Sequence, residues 1–402
     1  MDNILVLNAG SSSLKFAVFD LAVTDLRAGG IVQSLDSPEA CFLMKTSAGG
    51  SRSCCLPGAT IVEALEKIIS EVSAESSLAA IGHRVVHGGE FFGGASRIDE
   101  ASLGEIERCG RLAPLHNPRS VTVIREVLRQ FPKTPQAAVF DTAFHQSLPP
   151  KAFHYAIPYD FYAKHRIRRY GFHGISHAYV GEQAARRLGL AFSDLNAITV
   201  HLGNGCSACA IRRGRSVDTT MGLTPLEGLV MGNRSGDVDP AMHAFLAECE
   251  NLSLRQVDEI LNHKSGLLGL SGLSNDMRTL AAAEAAGNER ARLAIDVFCH
   301  RLAKAVLSMG ASLETIDALV FTGGIGENSP SVRERTLAQL GVLGVRCDPE
   351  LNRSHGLGSL GRITAGDSAV PAFVIETNEE LAIARETWRF LKPDPRLRLK
   401  SG

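Results

Sequence analysis

Apolar and polar residues alternate most regularly in two places that share one layout. The first, ILVLNAGSSSLKFAVFD at residues 4–20, sets two alternating runs about Gly10 and a row of three serines, and predicts a β-hairpin with a tight turn. The second, ITVHLGNGCSACAIRRG at 198–214, repeats the order of apolar strand, Gly-rich turn and alternating strand. Aligning Gly10 with Gly205 gives an offset of 205 − 10 = 195 residues, close to half the chain, which points to a duplicated domain and not to a short repeat. A third Gly-rich stretch, ALVFTGGIGENS at 318–329, runs an apolar strand into a helix start. Helical spacing predicts helices over 59–72, 101–112, 118–131 and 176–189, and in the alanine-rich stretch 279–312. AAIGHRVVHGG, QAAVFDTAF and DALVFTGG read as buried strands ending in polar loops. Residues 46–54 read as a surface loop, and the last ten residues as a frayed end. The interleaving of strands and helices predicts an α/β protein.

Length and composition narrow the function classes. A chain of 402 residues exceeds one typical core, so two domains are expected, 1–150 and 151–378. Charged residues make up 21% and the formal net charge is −1, so no basic field invites nucleic acid or an anionic membrane. The sequence contains no apolar run of about 18–20 residues and no secretory-type start, which leaves a cytoplasmic protein with small-molecule or protein partners as the expectation. Nine cysteines, scattered and odd in number, suit a reducing compartment. Cys206 and Cys209 form a C-x-x-C without a second pair, and three residues apart on a strand they point to opposite faces, against a shared metal.

Candidate chemistry gathers at the ends of apolar strands, where open α/β sheets place ligands. GHRVVHGGE supplies His83, Arg84, His87 and Glu90; LAPLHNP supplies His116 and Asn117; FDTAFH supplies Asp141 and His145. YGFHGISH adds His173 and His177, and RSGDVDP adds Arg234, Asp237 and Asp239. Any one of these residues also fits a satisfied polar group in a core, but the glycines beside them permit close backbone approach to a ligand. Two related Gly-rich turns, one per domain, would line a cleft whose amides and hydroxyls converge on an anion. The P-loop pattern is absent, and the nearest G-x-G-x-x-A, Gly203 to Ala208, continues as a strand where a dinucleotide site needs a helix.

Taken together, NAGSSSLKF, GHRVVHGGE, LAPLHNP, FDTAFH, RRYGFHGISH, HLGNG, DTTMGLTPLEGLVMG, RSGDVDP, SGLLGLSG, DMR, TGGIGEN and TNEELAIARET resemble the acetokinase family of the sugar-kinase, Hsp70 and actin superfamily, from residue 8 to residue 387. The resemblance implies duplicated actin-like (ribonuclease H-like) domains with a ligand cleft that closes between them, the first domain being completed by a C-terminal helix, 379–395. It implies a homodimer and a reversible, Mg²⁺-dependent, in-line phosphoryl transfer from ATP to acetate, with Mn²⁺ able to substitute. Acetate, with a free pKa of about 4 to 5 by analogy with Glu, is already ionised at neutral pH, so the reaction needs cations more than a base. The resemblance assigns catalysis to Arg84, Asp141, His173 and Arg234, and the metal to Asn8 and Glu379. Asp141 has two readings: it orients Arg84 and metal-bound water, or it exchanges a proton. ATP is assigned to Lys15, to His201, Leu202, Gly203, Asn204 and Gly205, to Asp276, Met277 and Arg278, and to Gly324, Ile325, Gly326, Glu327 and Asn328. Arg84, Val86, Leu115, Phe172 and Pro225 match the acyl-binding positions; a β-branched Val86 favours acetate over propionate or butyrate. Asn233 and Glu376 depart from the family's usual Thr and Pro. A filament-forming or chaperone-like ATPase of the same superfamily would keep the Gly-rich turns but has no use for Arg84, Arg234 and His173 together.

Overall fold

The computed structural model describes residues 2–10, 12–73, 77–114 and 116–392. Ser11 of the first turn, Leu115 of the expected acyl pocket and the expected frayed end at 393–402 lie outside the described residues. Contacts divide the chain into two units, one of Met1–Phe144 with Asn378–Gly402 and the other of His145–Thr377. The changeovers fall at 144/145 and 377/378, against the expected 150/151 and 378/379.

In the first unit the strands are β1 (Asp2–Ala9), β2 (Leu14–Asp20), β3 (Leu26–Gln33), β4 (Cys41–Thr46), β5 (Ser51–Cys55), β6 (Ser77–Val85), β7 (Ser96–Arg97) and β8 (Gln136–Phe140), in the sheet order β5-β4-β3-β2-β1-β6-β8-β7. β1, β2 and β3 are antiparallel neighbours, whereas β6 and β8 run parallel to β1 and to each other. Leu65 and Ile68 of the helix Ile61–Ser73, with Val123 and Val127 of the helix Asn117–Gln130, pack against Leu5, Leu7, Phe16 and Ile81. Each such side chain contributes about 1.5–3 kcal/mol of burial. Ile383 and Thr387 of the helix Glu379–Leu391 press on Gly82 of β6, where an added Cβ would collide with Thr387 Oγ1. The C-terminal helix therefore needs a glycine in the strand that carries Arg84.

Residues 46–54, expected as a loop, instead form the turn of an antiparallel hairpin and most of β5. β5 is an edge strand with its side chains largely exposed, so it lacks the apolar alternation by which strands are read.

The second unit holds β9 (Asn196–Leu202), β10 (Cys206–Arg212), β11 (Arg215–Thr219), β12 (Ala318–Thr322) and β13 (Ala372–Val374), ordered β11-β10-β9-β12-β13. The first three are antiparallel, and β12 runs parallel to both β9 and β13. The order and directions are those of β3-β2-β1-β6-β8, so the duplication read from the two hairpins is present in the sheets. The equivalence shifts, however. Gly10 follows β1 as Gly203 follows β9, an offset of 203 − 10 = 193 residues, so Gly203 and not Gly205 is its counterpart. The alanine-rich stretch forms the helices Met277–Ala285 and Glu289–Gly310, the latter burying Ile295, Phe298, Leu302 and Val306. Among the described residues no helix is long and apolar enough to cross a membrane.

Candidate active site

Because β1, β6 and β8 run parallel, their C-terminal ends share one sheet edge. Asn8 and Arg84 are register partners there, and Asp141 follows the last residue of β8. The Arg84 guanidinium donates from Nε to Asp141 Oδ1 at 3.1 Å, from Nη2 to Asp141 Oδ2, and from Nη1 to Asn8 Oδ1 at 3.1 Å. Glu379, first residue of its helix, places Oε2 3.9 Å from Arg84 Nε. Burial raises the Asp141 pKa above the ordinary carboxylate value, with Arg84 pulling it down and Glu379 pushing it up. Lys15, opposite Asn8 on β2, is exposed.

Other polar residues near these strand ends brace the backbone. Asn117 Oδ1 accepts the His87 N–H at 3.1 Å while its Nδ2 donates to the carbonyls of His87 and Ile106. His83 lies 2.9 Å from Gln136 Oε1, and burial depresses the pKa values of His83 and His87 to about 4 and about 3.

In the second unit His173 precedes the helix Gly174–Leu188 with a left-handed backbone, φ 57°, which a side chain other than glycine adopts at a cost. Its ring stacks on His201 with centroids 4.2 Å apart, and its Nδ1 lies 2.9 Å from Ser207 Oγ. A Cβ built on Gly205 would sit 3.4 Å from His173 Cε1 and 3.5 Å from both His173 Nε2 and Arg234 Nη1. The imidazole and the guanidinium therefore both border the same turn. Arg234 donates to the Pro225 carbonyl at 3.4 Å, and burial lowers its pKa. Alongside opens a cavity of about 990 Å³ lined by residues that include Gly203, Asn204, Asp276, Arg278, Gly324 and Asn328. Asn275 Nδ2 donates to Asn204 Oδ1 at 3.1 Å, and Asp276 caps the helix Met277–Ala285.

Residues 3–385 match the model of the acetokinase family. The chain belongs to the acetokinase family. It is 51% identical to an acetate kinase of Deinococcus deserti over 96% of this chain and 97% of that protein. The crystal structure of Porphyromonas gingivalis acetate kinase superposes with a TM-score of 0.90 at 39% identity, covering 98% of this chain and all of that one. A propionate kinase from Francisella tularensis gives a TM-score of 0.91 at 43% identity, covering 97% of this chain and 100% of that one. The fold is accordingly the duplicated actin-like architecture of these kinases.

Within the acetokinase frame the structure separates the expected residues into groups. Asn8, Arg84, Asp141 and Glu379 form one polar cluster in the first unit. His173, Gly205 and Arg234 form another in the second. Met277 and Ile325 also line the cavity, while Leu202 and Gly326 are buried. Glu327 turns inward instead, accepting from the N–H groups of Gly323 at 2.8 Å and Thr377 at 3.1 Å, and so braces the loop. Of the expected acyl-binding positions, Val86 is buried in the first unit and Phe172 and Pro225 belong to the second. Asp237 and Asp239 hold turns through the N–H groups of Gly228 and Ala241, and His145 holds the Phe172 carbonyl at 3.0 Å.

Sequence reading missed Ser207, Ser176 and Thr377. The hydroxyl of Ser176 lies 2.8 Å from His201 Nδ1 and 2.9 Å from Thr377 Oγ1. Ser207 was detectable, because it stands opposite His201 in the hairpin register. Burial pushes the Cys206 and Cys209 thiols up to about 12, which leaves them protonated and poor metal ligands. Among the described residues no three His, Cys, Asp or Glu side chains gather as a metal site. Asn8 and Glu379 nonetheless fit a hard divalent cation, since both present oxygen, the amide oxygen keeps a second lone pair, and Mg²⁺ takes few protein ligands beside water and phosphate.

Proposed function

We infer that the chain catalyses reversible, Mg²⁺-dependent phosphoryl transfer between ATP and acetate, giving ADP and acetyl phosphate by direct in-line displacement. It is a phosphotransferase with a carboxyl group as acceptor, with ATP and a divalent metal in the reaction. The observation that carries the choice of acetate is the 51% identity, over nearly the whole chain, to a protein named acetate kinase.

Arg84 and Arg234 supply positive charge to the acetate carboxylate and the transferring phosphoryl group, and His173 adds a hydrogen bond to that phosphoryl group. Asp141, held in two hydrogen bonds to Arg84, orients the guanidinium; acetate arrives ionised, so no proton need be removed from it. Asn8 and Glu379 would hold Mg²⁺, or Mn²⁺ through the same oxygens, and the bound ion would neutralise phosphate charge. The cavity beside Asn204 and Gly324 takes the nucleotide, with Lys15 assigned to its phosphates and His201 to the rest of ATP. Val86, Phe172 and Pro225 are assigned to the acetate methyl group. A cytoplasmic homodimer completes the proposal; sedimentation velocity tests the dimer.

Propionate is the second reading, favoured by the Francisella propionate kinase at 43% identity. The function is tested by supplying ADP, Mg²⁺ and acetyl phosphate and measuring ATP by luminescence. ATP formation that disappears on chelation is expected. No ATP from either acetyl or propionyl phosphate would overturn the function.

A further inference from the structure

The Ser207 hydroxyl lies between two imidazoles, 2.9 Å from Nδ1 of His173 and 2.8 Å from Nε2 of His177. The other nitrogen of His177, Nδ1, lies 2.7 Å from Thr199 Oγ1. Thr199, His177 and Ser207 are fully buried, so each hydrogen must find its acceptor inside the protein. Burial, with His145 and His201 nearby, holds the His177 pKa well below 6.5, so its ring carries one hydrogen.

The direction of the chain follows from counting hydrogens. Among the described residues the Thr199 hydroxyl has His177 Nδ1 as its one partner, so its hydrogen points there. Nδ1 of His177 is then an acceptor, and the ring hydrogen sits on Nε2 and points at Ser207 Oγ. Ser207 accepts that bond and donates its own hydrogen to Nδ1 of His173. The His173 hydrogen is thereby left on Nε2, the nitrogen that faces Gly205 beside Arg234. Reversing the chain would strand the Thr199 hydrogen in a dry interior and turn a His173 lone pair toward the incoming phosphate oxygens.

We propose that Thr199, His177 and Ser207 form a one-way chain of hydrogen bonds that fixes His173 as the Nε2–H tautomer, a donor to the transferring phosphoryl group. The three are positioning residues, and their role rests on the reading of His173 as a phosphoryl contact. It explains why two histidines, a serine and a threonine are joined in one buried chain of hydrogen bonds.

The test is a two-bond ¹H–¹⁵N correlation spectrum of the full chain labelled with [¹⁵N]histidine, at neutral pH, with His173→Gln and His177→Gln used to assign the signals. Both rings are expected as Nε2–H tautomers; either one found as Nδ1–H overturns the chain of bonds. Ser207→Ala should move the His173 Nδ1 resonance toward that of a nitrogen without a donor. It should also lower kcat by roughly 10- to 100-fold, the range for removing a partner that orients a metal-ligating imidazole, with both KM values unchanged. An unaltered kcat in the folded variant would overturn the positioning role. The wild-type spectrum decides the tautomer even if that variant fails to fold. A wild type that transfers no phosphoryl group would sink the function while leaving the tautomers readable.

Discussion

The two units build the same five-strand arrangement and use its edge for different electrostatics. In the first, Arg84 is already committed: Asp141 accepts two of its N–H groups, and Asn8 and Glu379 stand close by. In the second, Arg234 has a carbonyl at 3.4 Å and, among the described residues, no carboxylate partner, while the surrounding histidines are held by neutral hydroxyls. A paired cation is held in position before substrate arrives; an unpaired, half-buried one gains most when an anion binds. Repetition of the fold thus kept the strand edge and left its charge scheme free to diverge.

The largest effect should come from removing each arginine. Arg84→Ala and Arg234→Ala should both lower kcat, by a factor on the order of 10² to 10⁴. Their stabilities should part company. Arg84→Ala leaves Asp141 buried without its partner and should cost about 3–5 kcal/mol in urea unfolding, whereas Arg234→Ala should cost much less. Equal losses of stability would erase the contrast between the units. Next in size, Glu379→Ala should raise the Mg²⁺ concentration for half-maximal rate by roughly 10- to 100-fold, with the acetate KM little changed. An unchanged Mg²⁺ titration in the folded variant would remove Glu379 from the metal.

Legibility in the sequence follows the same division. The hairpins were readable because their strands alternate, and Arg84, Asp141 and Arg234 because glycines and strand ends surround them. The Gly10 counterpart was misplaced because the first turn spans residues 10–13 and the second only 203–205, and turn length sets register without leaving a hydrophobic signal. The inward role of Glu327 was hidden for a different reason. Its partner Thr377 is 50 residues away, and such a contact is decided by tertiary packing.

Smaller effects sharpen the comparison further. Val86→Ala in the first unit should raise propionate's kcat/KM relative to acetate's by roughly tenfold, the scale of one methylene. An unchanged ratio would take Val86 out of the acyl pocket. The acid limb of kcat/KM should lie above the ordinary carboxylate range, where Asp141 takes up a proton and releases Arg84, and Asp141→Asn should lack that limb. Unfolding is not the cause expected from this group. A folded-state pKa above 3.8 means that the native protein binds the extra proton, so the titration of Asp141 favours the folded state as pH falls toward 3.8. His83, His87 and His145 work the other way, because their depressed values, about 4, 3 and 4, give stability above 6.5 that is lost as pH falls toward them. The melting temperature should therefore be followed alongside the rate, and an acid limb that persists in folded Asp141→Asn would assign it to another group.

The most direct measurement incubates the purified protein with Mg-ATP and acetate, propionate or butyrate in the presence of hydroxylamine, which traps acyl phosphate as the coloured hydroxamate. Acetohydroxamate should form fastest, at a rate that depends on both Mg²⁺ and ATP. ATP hydrolysis without hydroxamate from any of the three acids would contradict phosphoryl transfer to a carboxylate.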